Sequence, residues 1–158
     1  MKTTRPLRRK KELERGGGLK RTPLKATPAA RKPPRDTGPD AATRALVLER
    51  DSLLCCRCGR PAGPGIGLYS IQHRVARGVG GGNGIQNLLL LCGSATTSCH
   101  GEVEARLNPH DLDAGFRLES WQDPAAEPVM LHSEHGSGMT VWLTGDGGYS
   151  TEAPEEGA

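Results

Sequence analysis

Residues 71–101 read IQHRVARGVGGGNGIQNLLLLCGSATTSCHG, and this stretch decides the fold. A segment with β character, Leu68 to His73, leads into it, and a glycine-rich loop follows at 78–84. The four leucines after Asn87 form a short apolar run, which is typical of a buried strand. A helix is predicted from Cys99 to Arg106, before Asn108-Pro109 ends it. The predicted order is therefore strand, loop, strand, helix.

Four cysteines bracket this stretch in two pairs. Cys55 and Cys58 are separated by two residues, Cys92 and Cys99 by six, and 33 residues lie between the pairs. A C-x2-C turn directs two thiolates at one metal, and a second pair completes the tetrahedron that zinc accepts. The small residues at 93–98 can loop out and bring the second pair together. We therefore predict a structural zinc site, with disulfides or buried inert thiols as the alternatives.

The fifth cysteine, Cys56, could replace one ligand in register. The pair 55 and 58 makes the ordinary knuckle, so Cys56 is interpreted as a spare thiol. A site closed by four cysteines leaves no open coordination position, so any chemistry must come from other residues.

The composition limits the size of the core. Aromatic residues make up 3% of the chain, and 34 of its 158 residues are glycine or proline. A core built from this supply is small, and small cores usually need a metal or a disulfide. The fold class predicted is α+β: a small zinc-stapled domain between two tails.

The net charge of +3 conceals three different segments. Residues 1–35 carry a balance of +11, residues 36–100 a balance of +2, and residues 101–158 a balance of −10. The first 38 residues, rich in proline, glycine and like charges, are predicted to be a disordered basic arm. Such an arm is either a solvated tail or a phosphate-binding segment for nucleic acid.

The remaining boundaries follow from pattern and turn residues. A helix is predicted from Pro39 to Glu49, and the central domain is predicted to span 39–110. Apolar segments at 115–118, 128–132 and 139–144 predict a small β appendage over 111–146. Residues 147–158 are predicted to be an acidic disordered tail. No run of about 18 apolar residues and no secretory signal is present, so a cytoplasmic location without membrane contact is expected.

The sequence resembles the HNH endonuclease family, of the kind common in bacteriophage genomes. The residues that match lie within 40–109. They are Glu49-Arg-Asp-Ser-Leu-Leu-Cys55-Cys-Arg-Cys58-Gly59, Ile71-Gln-His73-Arg-Val-Ala-Arg-Gly78, Asn87-Leu-Leu-Leu-Leu-Cys92 and Cys99-His100-Gly101. Several linked motifs in one order are far more specific than a single C-x2-C. The resemblance implies a ββα-metal fold, in which a hairpin and a helix grip one divalent cation at a scissile phosphate.

The resemblance also implies roles for individual residues. His73 would be the general base that activates water, since an imidazole is available in its neutral form near pH 7. Asn87 would hold the loop and orient His73, and His100 would ligate the catalytic cation. Arg74 and Arg77 are candidates for contacts with DNA phosphates, although two surface arginines need no function.

Two positions depart from the commonest family pattern. Gln72, a neutral oxygen donor, stands before the base where the family usually has Asp or His as a metal ligand. Glu104 stands four residues after His100, where a second His is common, and i, i+4 spacing puts both on one helix face. We hypothesise that Glu104 restores the ligation that Gln72 gives up, and favours Mg²⁺ or Mn²⁺.

The function expected is that of a metal-dependent endonuclease that nicks or cuts DNA, with structural Zn²⁺ and a catalytic cation such as Mg²⁺, Mn²⁺ or Ni²⁺. DNA is the expected partner, and the family context adds the DNA-packaging (terminase) proteins of a phage and a bacterial host cell. The alternative is a catalytically weak or inert zinc-stabilised module that binds DNA or assists packaging.

Overall fold

The computed structural model describes residues 38–135 and 138–155, which form a small α+β structure. The basic arm predicted for 1–38 lies outside the described residues, except for Gly38. The helices and strands of the described ranges are α1 (Ala41–Arg50), β1 (Tyr69–His73), β2 (Leu88–Cys92), α2 (Ser98–Glu104), α3 (His110–Asp113), β3 (Val129–Leu131), β4 (Met139–Leu143) and β5 (Tyr149–Ser150).

Helix α1 begins at a side-chain cap. The Asp40 carboxylate accepts a hydrogen bond from the Thr43 amide at 2.7 Å, which satisfies one of the free N–H groups of the first turn. The helix buries Val47 and ends at Arg50, next to the buried Asp51. The helix predicted for 39–49 is confirmed to within two residues.

Strands β1 and β2 form an antiparallel pair in which His73 lies opposite Leu88 and Tyr69 lies opposite Cys92. Helices α1 and α2 both contact β2, so the four leucines at 88–91 are completely buried. A continuous apolar run, rather than an alternating one, is what such a strand requires. The predicted order of strand, loop, strand and helix is confirmed.

The second edge of β2 is covered by the segment that follows α1. The Cys56 amide donates to the Leu90 carbonyl at 2.8 Å, and the Leu90 amide donates to the Asp51 carboxylate at 2.7 Å. Arg50 holds the same carboxylate at 2.6 Å. Because Asp51 takes the place of a neighbouring strand's carbonyl, β2 leaves neither of these backbone groups unpaired.

Strands β3, β4 and β5 form a second antiparallel sheet in that order. Their inward residues Val129, Leu131, Val141 and Leu143 belong to the same core as the leucines of β2. The region predicted as an appendage therefore shares one core with the central region. The strand predicted at 115–118 is wrong: Leu118 makes only an isolated bridge with Val75. Gly115 turns the chain there with a φ of 72°.

The acidic tail predicted from residue 147 onward is wrong for its first part. Tyr149 lies in β5, and its hydroxyl donates to the Asp51 carboxylate at 2.5 Å. The Arg50 guanidinium lies 5.4 Å from the centre of the same ring. The sequence does not predict this strand, because a single tyrosine among polar and charged residues shows no periodicity. Residues 156–158 lie outside the described ranges.

Candidate functional site

The four predicted metal ligands lie together. The sulfurs of Cys55, Cys58, Cys92 and Cys99 are all within 4.8 Å of one another, and those of Cys58 and Cys92 are 3.8 Å apart. Zn–S bonds of about 2.3 Å in a tetrahedron require S–S separations of about 3.8 Å. The four cysteines are thus positioned to bind a metal ion and could hold zinc.

The first pair is presented by a knuckle. The Cys55 amide donates to the Arg60 carbonyl, and the Gly59 amide donates to the Cys55 carbonyl, both at 2.8 Å. Gly59 has a φ of 73°, in the left-handed region that glycine adopts without a Cβ clash. Both thiols therefore point from one tight turn toward a single position.

The second pair spans the end of β2 and the first turn of α2. The loop between them is closed by hydrogen bonds of Ser94 to the Thr97 hydroxyl, at 3.0 Å from the amide and 2.9 Å from the hydroxyl. Gly93 has a φ of 93°, and a Cβ there would collide with the Thr97 carbonyl oxygen. This tight loop explains how a gap of six residues still brings Cys92 and Cys99 to one centre.

The pKa shifts of the clustered thiols bear on how a cation would bind them. A hydrogen bond from Cys99 lowers the pKa of Cys55 to about 5, whereas burial raises the pKa of Cys58 to about 12. The bond to Cys55 raises the pKa of Cys99 as well. In the absence of a cation these shifts favour a thiolate at Cys55 and thiols at Cys58 and Cys99, and a bound divalent ion would supply the charge that ionises the latter two.

Arg57, inside the knuckle, is a residue that the sequence analysis missed. Its buried guanidinium donates to Asp111 at 2.7 Å, to Glu102 at 2.8 Å and to Glu134 at 3.2 Å. These carboxylates come from α3, α2 and the turn after β3, so Arg57 ties the knuckle to three other parts of the fold. A lone arginine between two cysteines carries no sequence signal for such a role.

Cys56 is separate from the cluster. It is buried, and burial raises the pKa of its thiol. Its carbonyl accepts a hydrogen bond from the His132 amide at 2.6 Å. Its backbone therefore joins β2 to the turn after β3, while its side chain packs in the core.

Three of the other predicted residues, Gln72, His73 and Glu104, line a small cavity at the far end of β1, which we name the His73 cavity. Its volume is about 60 Å³. Its walls are Gln72, His73, Ala76, Val103, Glu104, Arg106 and Arg117. The structure thus brings together the candidate base and two of the three candidate ligands of a catalytic cation.

His73 is nine-tenths buried at the last position of β1. Its Nε2 lies 2.8 Å from the Asn83 Oδ1, a partner that the sequence analysis missed. Burial lowers the pKa of His73, which the hydrogen bond to Asn83 opposes. The ring is therefore neutral at pH 7.

Asn87 closes the loop between β1 and β2. Its Oδ1 accepts from the Val75 amide at 2.7 Å, and its Nδ2 donates to the carbonyls of Val75 at 3.1 Å and Gly82 at 2.8 Å. Asn87 thus holds the loop that carries Asn83, and it acts on His73 through that loop rather than by direct contact.

His100 and Gln72 each have an atom without a partner in the described ranges. His100 Nε2 lies 3.8 Å from Glu104 Oε1, but its Nδ1 is buried without a hydrogen bond. Gln72 donates through Nε2 to the His73 carbonyl at 2.9 Å, while its Oε1 is buried without a partner. Buried polar atoms of this kind are uncommon and need an explanation.

The two arginines predicted to contact DNA differ in placement. Arg77 is exposed in the loop after β1. Arg74 is completely buried, and its five N–H groups serve five carbonyls, those of Gly115, Gln86, Pro124, Glu127 and Pro128. This placement contradicts a phosphate contact for Arg74, because no hydrogen-bond donor of its guanidinium is left for a ligand.

No protein-family model, curated protein or solved structure was found to match this chain. The resemblance to HNH endonucleases therefore rests on the residues of the sequence. Among the helices of the described residues, none has the length and apolar character needed to span a bilayer.

Proposed function

We propose that this chain is a metal-dependent HNH endonuclease that hydrolyses the phosphodiester bonds of DNA, by nicking or by cutting both strands. The observation that carries the proposal is the meeting of His73, Gln72 and Glu104 at one small cavity. The hairpin and helix at this cavity also carry two of the four clustered cysteines, Cys92 and Cys99. A base beside oxygen and nitrogen ligands is the equipment that metal-assisted hydrolysis of a phosphodiester needs.

His73 is the general base in this proposal. Because Asn83 Oδ1 can only accept a hydrogen bond, the neutral ring carries its proton on Nε2. The lone pair then resides on Nδ1, which can take the proton of an attacking water. Asn83 is thus a positioning residue that selects the tautomer, and Asn87 holds the loop that presents it.

Gln72, His100 and Glu104 are the residues that would hold the catalytic cation. The fit rests on the Gln72 Oε1, which has no partner among the described residues, and on His100 Nε2, which lies 3.8 Å from the Glu104 carboxylate. Glu104 supplies the negative charge that Gln72 lacks, and this donor set suits Mg²⁺, Mn²⁺ or Ni²⁺. Bound there, the cation would polarise the phosphate and stabilise the leaving oxygen.

The cysteine cluster is, in this proposal, a structural zinc site. It joins the knuckle to the end of β2 and the start of α2, so it also sets the position of His100, which follows Cys99. Four thiolates leave zinc no open position, which keeps it out of the reaction.

DNA binding would draw on the basic N-terminal segment, whose charge balance is +11 over residues 1–35. Such contacts add salt-dependent affinity without reading sequence. We further propose a phage-encoded protein that acts in the bacterial host cell, with DNA-packaging (terminase) proteins as partners.

The second candidate function is a catalytically inert, zinc-stabilised module that binds DNA or assists packaging. The neutral Gln72 at a position where a charged ligand is expected favours this alternative. It keeps the cysteine cluster and the DNA contacts but has no productive cation.

A plasmid-nicking assay separates the two. The protein is incubated with supercoiled DNA in Mg²⁺, Mn²⁺ or Ni²⁺, and His73→Asn is compared with His132→Asn, which changes an exposed histidine outside the cavity. We expect cleavage by the wild type and by His132→Asn, and none by His73→Asn. DNA binding without cleavage in all three metals would establish the inert module instead.

Cation titration in the same assay tests Glu104. Glu104→Gln should need at least about tenfold more cation for half-maximal cleavage, because it loses a charged ligand. Glu49→Gln, an exposed position on α1, is the matched control. Equal cation requirements for the two variants would remove Glu104 from the site.

A further inference from the structure

The walls of the His73 cavity include two arginines that lie outside every sequence motif. Arg106 follows the end of α2 in a left-handed conformation, with a φ of 56°. Arg117 comes from the segment after α3, about 40 residues along the chain from His73. Neither was predicted to have a role, and the fold alone brings both to the candidate base.

These two guanidinium groups are not saturated by the protein. Arg106 is exposed and its side chain has no hydrogen bond or ion pair within the described ranges. Arg117 has one carboxylate neighbour there, Glu119, at 3.7 Å, which is longer than a hydrogen bond. Arg57 and Arg74, by contrast, spend their donors on carboxylates or carbonyls. The guanidinium groups at the cavity therefore have hydrogen-bond donors available for a ligand, whereas those of the two buried arginines are already used by the protein.

The charge around the cavity favours an anion. Arg106 and Arg117 line it, and the positive charges of Arg77 and Arg44 also act on His73. Glu104 is the one acidic group among the lining residues. A phosphodiester with a single negative charge is the anion that suits such surroundings, because the cation expected at Glu104 would compensate that carboxylate.

The size of the cavity further limits the kinds of ligand that can enter it. A cavity of about 60 Å³ has room for only a few groups of the size of a water molecule. A base or a sugar does not fit in that space, but the oxygens of a phosphate group do. The ligand is thus a backbone phosphate that enters from outside, not a nucleotide that is engulfed.

Arg117 owes its position to Arg74. The Leu118 amide donates to the Arg74 carbonyl at 2.7 Å, and the Arg74 guanidinium holds the Gly115 carbonyl at 2.7 Å. The segment that carries Arg117 is therefore fixed on both sides to the strand end that carries His73. The buried Arg74 acts as the support for a phosphate contact that it does not make itself.

We propose that Arg106 and Arg117 together seat the non-bridging oxygens of the scissile DNA phosphodiester in the His73 cavity. The inference rests on the proposed function and deepens it, since it names the groups that position the substrate beside the base. Arginine suits this role because its planar fork can bond two phosphate oxygens at once.

Binding of a labelled DNA duplex of about 20 base pairs, measured by fluorescence anisotropy over a range of salt concentrations, tests the contact in the full chain. The slope of log K against log salt falls by about 0.9 for each phosphate contact removed. Because both arginines contact the same phosphate, we expect a loss of about 0.9 for the double variant Arg106→Gln/Arg117→Gln relative to wild type. Arg60→Gln, an exposed arginine of the knuckle segment, is the control for a general loss of charge.

The variant Arg117→Lys distinguishes precise positioning of the phosphate from simple charge attraction. It should keep a slope near that of wild type but lower the cleavage rate by at least about tenfold, because lysine lacks the two-oxygen fork. Thermal unfolding and bound zinc of each variant must match wild type, and Arg117→Ala replaces any variant that fails this check.

The outcomes distinguish this inference from the proposed function. A wild type that cleaves, with a double variant that matches Arg60→Gln in slope and in rate, overturns the phosphate seat and leaves the nuclease. A wild type that cleaves in no metal, with the expected loss of slope, overturns the nuclease and supports the phosphate contact.

Discussion

The cysteine cluster and the His73 cavity lie at opposite ends of one strand pair. Cys92 is paired with Tyr69 at one end of the hairpin, and His73 is paired with Leu88 at the other. At the cluster four like side chains place their sulfurs within 4.8 Å of one another. At the cavity the donors differ in kind, and Gln72 keeps a buried atom without a partner in the described ranges. In the function that we propose, the first site holds the fold together and the second binds the cation and the phosphate.

The two sites also differ in what supports them. The cluster is supported by short loops on either side of each cysteine pair. The cavity depends on the loop held by Asn87 and on the segment held by Arg74. Loss of a side chain at the cluster should therefore mainly lower the stability of the fold. Loss of a side chain at the cavity should mainly lower the activity.

The largest effect is expected from removal of a cluster cysteine. Cys58→Ala should abolish tight zinc binding and most of the folded structure, because a structural zinc contributes about 10–16 kcal/mol in peptides, against about 5–15 kcal/mol for the stability of a whole domain. Zinc content and a circular-dichroism melt measure both. Cys56→Ala, a buried cysteine outside the cluster, should keep its zinc. Indistinguishable melts and zinc contents for the two variants would contradict a structural metal.

A smaller loss of stability is expected at the support of the cavity. Arg74→Gln leaves several buried carbonyls unpaired and should lower the free energy of unfolding by roughly 3 kcal/mol or more. Arg77→Gln, at an exposed position, should change it by less than about 0.5 kcal/mol. Urea unfolding measures the difference. If both variants unfold alike and only Arg74→Gln weakens DNA binding, the structural role of Arg74 is wrong.

The smallest effect is expected at Asn83, and it concerns pH rather than stability. Burial lowers the pKa of His73, so the neutral base persists below pH 6.5 and kcat/KM should rise with pH to a midpoint under that value. The hydrogen bond that His73 donates to Asn83 opposes this shift. Asn83→Ala should therefore move the midpoint lower still and reduce the plateau by about tenfold, because the tautomer is no longer selected.

Two measurements test this prediction, a pH–rate profile and an NMR titration of the His73 ring. A wild-type midpoint above pH 6.5, or ring nitrogen shifts that are the same in both proteins, would contradict it. Asn108→Ala, in the exposed turn after α2, is the control and should leave both unchanged.

Much of the local structure could be predicted because it depends on near neighbours. The helix after Pro39, the strand before His73 and the leucine run of β2 all have patterns that a short window reveals. The cysteine cluster was equally accessible, since a C-x2-C turn positions two ligands without help from the rest of the chain. The gap of six residues before Cys99 was the uncertain part, and Gly93 resolves it with a left-handed turn.

The partners of charged side chains could not be predicted in the same way. Nothing in the sequence indicates that Arg57 and Arg74 are buried, yet both are buried and hydrogen-bonded to distant segments. Their partners lie between 12 and 77 residues away along the chain. Tyr149 likewise reaches Asp51 across 98 residues, which no periodicity in the tail indicates.

The sequence by itself determined the secondary structure around the hairpin, the identity of the four cysteines that lie together and the residues that resemble a nuclease motif. Those depend on spacing and on local hydrogen bonds, which a short segment specifies. Only the tertiary structure decided that Arg74 supports the fold, that Asn83 meets the His73 ring and that Arg106 and Arg117 face the same cavity. Contacts between distant segments are set by how the shared core closes, and the chain order of residues does not record that geometry.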